Sequence, residues 1–140
     1  MEPRLPLAAE ELIPHRLPMR LVERLLEIEG KDGVVEALVS ADCPLACTTE
    51  GLEDLAMIEL LAQAYATVKG YCDLLEGKPV KQGFLVGIKT FTMLLSAQVG
   101  DQLKIKVKTL AELDAFAVAE GEVWRGPELL ARGEIKVWVH

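Results

Sequence analysis

Two polar side chains one turn apart on an apolar helix are the residues of this sequence best suited to chemistry. Glu59 and Gln63 are four positions apart, so a helix brings both onto one face. The surrounding residues, from about position 52 to 68, are apolar on nearly every face and include neither Gly nor Pro. Such a helix belongs in a protein interior, where a carboxylate needs a hydrogen-bond partner or an ion partner. Glu59 is therefore the first candidate for a catalytic group.

Histidine and cysteine are the other residue types that could act on a substrate or hold a metal. The chain has two histidines and three cysteines, at His15, His140, Cys43, Cys47 and Cys72. The first two cysteines are four positions apart, but two distant histidines do not complete a four-ligand zinc site, and the sequence predicts no metal. It also contains no cofactor motif. His15 is either a structural histidine or a base that reaches Glu59 in the folded protein.

Length and composition restrict the possible classes of protein. The 140 residues fit a single domain with a substantial core, covering positions 1–140. A net charge of −7 without any basic cluster argues against nucleic acid and anionic membrane as partners. The first residues lack the pattern of a signal peptide, and no apolar run is long enough to span a membrane, so we expect a cytoplasmic protein.

Alternation of apolar and polar residues predicts strands on both sides of the helix. Before the helix, residues 20–28 form one strand, with Leu26 and Ile28 on one face, and residues 35–39 form another after a hairpin turn at 30–33. The helix weakens toward position 75 and ends at 76–79. Strands then follow at 84–95, 103–108, 116–124 and 130–139.

These elements predict an α+β fold with a long helix against an antiparallel sheet. Because the strands are few, we expect a second copy of the sheet to be needed to cover the helix fully. The lysines at positions 104, 106 and 108 alternate with apolar residues and indicate a solvated face.

Three segments resemble, in the same order, segments of the hotdog-fold 3-hydroxyacyl-thioester dehydratases of fatty-acid synthesis. Residues 12–24 are similar to the opening Pro-His-x-x-Pro segment and first strand of that family. Residues 57–64 are similar to its central helix, in which an acidic residue precedes the Gln of an Ala-Gln pair by four positions. Residues 83–89 and 99–103 resemble its third strand and the Gly-Asp turn that follows. The sequence resembles in particular the dehydratase-like subgroup found in aryl-polyene clusters.

The resemblance implies a hotdog fold, in which an antiparallel sheet wraps a long central helix. It implies a homodimer or higher oligomer, or a heterodimer with a related subunit. The implied substrate is a 3-hydroxyacyl thioester of acyl-carrier protein or coenzyme A. The resemblance places Glu59 at the family's acidic position and implies Gln63, Leu85, Val86 and Gly87 as substrate-binding residues. The histidine of the opening segment is not the base in that family, but His15 is the only internal histidine here and is the second candidate catalytic residue.

One departure from the family leaves three functions open. In related dehydratases, a loop histidine about fourteen residues before the acid is the base, and that position here is Leu45, in a loop without histidine. The first possibility is a dehydratase that uses Glu59 with His15. The second is a thioester hydrolase that uses Glu59 alone. The third possibility is a non-catalytic subunit that binds an acyl chain or completes a heterodimer, with Glu59 as a structural carboxylate.

Overall fold

The computed structural model describes residues 4–14, 20–40, 54–79 and 83–139. A short strand and a 3₁₀ turn precede a hairpin, a long helix follows, and four strands complete the described part of the chain. The bounds are β1 Leu7–Ala8, the 3₁₀ turn Ala9–Glu11, β2 Arg24–Glu29, β3 Asp32–Leu38, α1 Asp54–Leu75, β4 Gly83–Met93, β5 Gln102–Leu113, β6 Phe116–Arg125 and β7 Glu128–Val139.

The strands form one antiparallel sheet in the order β1-β2-β3-β5-β6-β7-β4. Its two faces follow from the period of two along each strand. In β5, buried apolar residues alternate with exposed lysines, at Leu103, Ile105 and Val107 and at Lys104, Lys106 and Lys108. The prediction that the lysine row is solvated is confirmed.

Helix α1 lies against the apolar face of this sheet. Each of the strands β2 to β7 contacts it, so the sheet curls around the helix. The core side of the helix is formed by large buried residues, Met57, Leu60, Leu61, Tyr65 and Val68. Close approach requires glycine in the sheet: a Cβ added at Gly121 would lie 2.6 Å from Cδ2 of Leu61.

The segment before β2 covers a second side of the helix. Leu12, Ile13 and Val22 are buried there. The contact is so close that a Cβ added at Gly70 would lie 2.0 Å from the carbonyl oxygen of Leu12. The helix is therefore held between the sheet and the N-terminal segment.

The predicted helix and the six predicted strands are confirmed, with two differences. The two-residue strand β1 was not predicted, because so short a segment carries no alternation. Half-buried Leu26 and Ile28 alternate with exposed Glu27 and Glu29 in β2, as predicted. The second difference is a register shift between Leu25 and Glu27, which makes Leu25 the fully buried residue of this strand.

Strand β4 ends the sheet and pairs only with β7 among the described strands. Unusually for such a position, it exposes a series of large apolar side chains, Phe84, Leu85, Val86 and Ile88. An exposed apolar edge is a template for pairing with another strand. No helix in the described ranges has the length and apolar character needed to cross a membrane.

The contact between Gly70 and Leu12 predicts a large effect of one added methyl group. We expect Gly70→Ala to lower the free energy of unfolding by about 2 kcal/mol, because overpacking against backbone outweighs a gain of about 1 kcal/mol in helix propensity. Chemical denaturation measures this change. Gly87→Ala is the control, since its added Cβ would meet only Cβ of Lys136, at 3.8 Å. A Gly70→Ala protein as stable as the wild type would contradict the close packing.

Candidate active site

Glu59 and Gln63 form a hydrogen-bonded pair on α1. Nε2 of Gln63 donates to Oε1 of Glu59 over 3.0 Å. The predicted shared face is thus confirmed, but the burial of the two side chains differs. Gln63 is 1% exposed, whereas Glu59 is only half-buried. The carboxylate therefore lies at the border between core and surface, where a substrate can reach it.

The other end of the Gln63 amide is also fixed. Its Oε1 accepts a hydrogen bond from the backbone N–H of Leu21 over 2.7 Å. Because Oε1 faces an N–H donor, the amide nitrogen has to face the carboxylate, and the network itself determines the orientation of the amide. Gln63 thus connects the helix carboxylate to the segment that enters β2.

In the described part of the chain, one stripe of α1 is less buried than the faces beside it. Its residues are all half-buried and lie on one side of the helix, at Ile58, Glu59, Ala62, Ala66 and Lys69. We call this the open stripe. It contains the candidate acid Glu59 and two small side chains, Ala62 and Ala66, which pack partly against the core.

The predicted substrate-binding residues on β4 lie at the edge of the sheet. Leu85 pairs with Val137, a register shift follows, and Gly87 pairs with Lys136. Leu85 and Val86 are 36% and 50% exposed. They are on the surface of the described chain and available to a ligand or to a second subunit.

The predicted base His15 lies outside the described residues, as do His140, Cys43 and Cys47. The structure thus brings Glu59 and Gln63 together and leaves the role of His15 a prediction. Cys72 is half-buried, and burial raises the pKa of its thiol, which disfavours the reactive thiolate. Among the described residues, no group of three His, Cys, Asp or Glu is arranged to hold a metal ion.

The sequence analysis missed a second polar cluster farther along α1. Tyr65, Lys69 and Asp73 follow each other at intervals of four residues, and this spacing is the signal that could have identified them. Nζ of Lys69 lies 3.2 Å from Oδ1 of Asp73 and 3.8 Å from Oε2 of Glu112. Asp73 is 1% exposed, so the positive charge of Lys69 compensates the negative charge of a carboxylate inside the protein.

A long helix enclosed by an antiparallel sheet defines the hotdog fold, and comparison with solved structures confirms that prediction. The dehydratase heterocomplex ApeI:P from Xenorhabdus doucetiae is similar with a TM-score of 0.86 at 23% identity, over 94% of this chain and 90% of that chain. The PaaI protein from the E. coli phenylacetic acid degradation operon is similar with a TM-score of 0.63 at 15% identity, over 81% and 80% of the two chains.

Sequence comparison identifies the family. The family model ApeP-like, described as ApeP dehydratase, matches residues 7–140. The 3-hydroxyacyl-acyl-carrier-protein dehydratase FabZ of Alkaliphilus metalliredigens is 31% identical over 128 residues, which cover 86% of this chain and 83% of that protein. FabZ of Natranaerobius thermophilus is 33% identical over 130 residues, or 90% of each chain. The chain belongs to the ApeP-like dehydratase family, and the dehydratase resemblance is confirmed.

Replacing Gln63 tests its bridging position. We expect Gln63→Leu to lower the free energy of unfolding by about 2 kcal/mol, because the Leu21 N–H loses its acceptor inside the protein. Denaturant titration measures the loss. The control Gln102→Leu changes an exposed glutamine in β5 and should alter stability little. Equal effects of the two substitutions would show that the bridge contributes nothing to stability.

Proposed function

We propose that the chain is a 3-hydroxyacyl-thioester dehydratase of fatty-acid or polyene synthesis, a single cytoplasmic hotdog domain. Its substrate is carried by acyl-carrier protein, as the names of the FabZ relatives state for those enzymes, or by coenzyme A. The half-buried Glu59, held in place by buried Gln63, is the observation that carries this proposal. A carboxylate with a fixed position at the surface of an apolar helix is suited to exchange a proton with a bound substrate.

Dehydration breaks the C2–H and C3–O bonds, forms the C2–C3 double bond and releases one water. In the proposed mechanism, Glu59 donates a proton to the leaving hydroxyl, and Gln63 holds Glu59. His15 removes the C2 proton, since His140 is the only other histidine in the chain. Backbone N–H groups at the start of α1 stabilise the negative charge that develops on the thioester oxygen.

The acyl chain then follows the open stripe. Ala62 and Ala66 contribute only small side chains along the helix, and β4 is the neighbouring sheet edge on this side. Leu85, Val86 and Gly87 are the proposed contacts of the substrate on that strand. Their exposure supports this assignment, because a substrate groove needs apolar side chains that the core has not already buried.

A subunit that needs a partner for catalysis is the second candidate, and the distribution of histidine favours it. The chain has no histidine between His15 and His140, which includes the loop that carries the base in related dehydratases. The similar structure ApeI:P is named as a dehydratase heterocomplex. In this version, the chain supplies Glu59 and the acyl groove, and a related subunit supplies the base.

Either version requires association through β4. The free edge of this strand offers backbone hydrogen bonds, and its exposed apolar side chains offer area to bury. Pairing with the same edge of a second copy or a related subunit would also cover the open stripe. We propose this edge as the dimer interface.

The reaction can be tested by mass spectrometry of a 3-hydroxyacyl-carrier-protein. Wild type is expected to release water from the acyl group, and Glu59→Gln to slow this release about a hundredfold or more, because general acid–base catalysis contributes at least that factor. His15→Ala should reduce the rate similarly if His15 is the base. The control Glu120→Gln changes an exposed carboxylate on β6 and should leave the rate unchanged.

The other outcomes assign the other functions. Release of free acid that needs Glu59 but not His15 would contradict dehydration and indicate a thioester hydrolase. Dehydration that appears only after addition of a related hotdog subunit, and that is insensitive to His15→Ala, would establish the second candidate.

The proposed interface predicts the effect of a charge on β4. Ile88→Asp should weaken association by about tenfold or more, because an unpaired carboxylate would have to be buried. Sedimentation over a range of concentrations measures this, with the chain alone and with a related subunit. Val99→Asp is the matched control: each of these side chains is 46% exposed, but Val99 lies beyond the end of β4. Unchanged association of Ile88→Asp would exclude this edge as the interface.

A further inference from the structure

A small cavity lies between the second half of α1 and the sheet. It is lined by apolar or small residues and by three polar side chains of the helix, Tyr65, Lys69 and Asp73. On the sheet side, its lining includes Gly83, Val137 and Val139. Its volume of about 20 Å³ accommodates one water molecule or one group of similar size.

Tyr65 is the polar group of this cavity that is available to an occupant. Its side chain is 2% exposed, and no hydrogen bond of its hydroxyl is found among the described residues. Burial, with the nearby charges of Glu112 and Asp73, raises the pKa of this hydroxyl, so it stays protonated. The hydroxyl oxygen itself is not fully buried, so it is open to the cavity and can bond to an occupant that accepts or donates a hydrogen bond.

The charges around the cavity balance each other. Lys69 bridges Asp73 and Glu112, and Lys31 pairs with Glu112 from the turn between β2 and β3. Two lysines thus face two carboxylates. A charged ligand group would disturb this balance, whereas a neutral group that both donates and accepts a hydrogen bond suits it.

The cavity lies on the path proposed for the acyl chain. Ala66 and Lys69 belong both to its lining and to the open stripe that contains Glu59. Along the helix axis, Glu59 and Lys69 are about 15 Å apart, from a rise of about 1.5 Å per residue. Ala62 and Ala66 lie between them and contribute only small side chains to this side of the helix. An extended chain with its reacting carbons at Glu59 would therefore point its far end at the cavity.

We propose that this cavity binds the far end of the acyl chain and selects chains that end in a hydroxyl group. This inference rests on the proposed function, because it needs the acyl chain in the open stripe. The hydroxyl would accept a hydrogen bond from Tyr65 and lie beside the Lys69–Asp73 pair. A methyl end would enter the same cavity and leave the tyrosine hydroxyl unpaired.

The test compares binding of non-hydrolysable pantetheine amides whose acyl chains have equal length and end in methyl or in hydroxyl. Calorimetric titration is performed on the full chain in its associated state, over a series of chain lengths. At the length that spans about 15 Å, the hydroxyl-ended analogue should bind about tenfold tighter, the equivalent of one net hydrogen bond. Tyr65→Phe should reduce this ratio to about one, since it removes only the donor.

The other tyrosine of the chain provides the control. Tyr71→Phe removes a buried hydroxyl of the same helix from outside the cavity and should preserve the preference. Equal affinities in the wild type at every length, or a preference unchanged in Tyr65→Phe, would overturn this inference while leaving the reaction intact. No binding of either analogue by the wild type would instead contradict the proposed acyl groove, and the proposed function with it.

Discussion

The buried amide of Gln63 is the constraint on which the candidate site depends. It donates to the Glu59 carboxylate and accepts from the Leu21 backbone, so both ends are satisfied inside the protein. A buried amide has few alternatives that satisfy both ends, because either group left unpaired costs about 1–3 kcal/mol. The backbone carbonyl of Gln63 also accepts a hydrogen bond from Thr67, over 2.8 Å. The position of the carboxylate therefore follows from the fold of the N-terminal segment and not from the helix alone.

In the described part of the chain, close packing covers two sides of the helix and leaves the open stripe as its less buried side. On the sheet side, Gly121 lets Leu61 approach the strand closely, and on the N-terminal side, Gly70 lets the helix approach the backbone of Leu12. An added Cβ at Gly70 would require a backbone shift, whereas one at Gly121 would require the Leu61 side chain to move. Among the described residues, Glu59 is therefore most accessible from the open stripe. Access to the carboxylate is thus determined by where small residues occur in the sequence.

Local patterns were sufficient to predict most of the fold and part of the site. The alternation of residues in β5 follows the period of a strand, and the four-residue spacing of Glu59 and Gln63 follows the period of a helix. Both periods can be read from the sequence. The register shift in β2 was not predictable, because a bulge changes the side-chain period without a distinctive residue type. The polar cluster of Tyr65, Lys69 and Asp73 was missed for a different reason. Its partner Glu112 is far away in sequence, and only the pairing of β5 with its neighbours brings it to the helix.

Polar and small residues follow one another along the open stripe in an order that packing alone would not require. Its polar residues are Glu59 near one end and Lys69, beside the buried Asp73, at the other, and Ala62 and Ala66 lie between them. Leucine at the two alanine positions would bury more apolar area, at about 25 cal/mol for each Å², and would increase stability if the stripe served packing alone. Small residues between the two polar positions instead fit the proposed path of the acyl chain along the helix. This order fits a molecule that is held at both ends, with its reacting bonds at Glu59 and its far end at Tyr65.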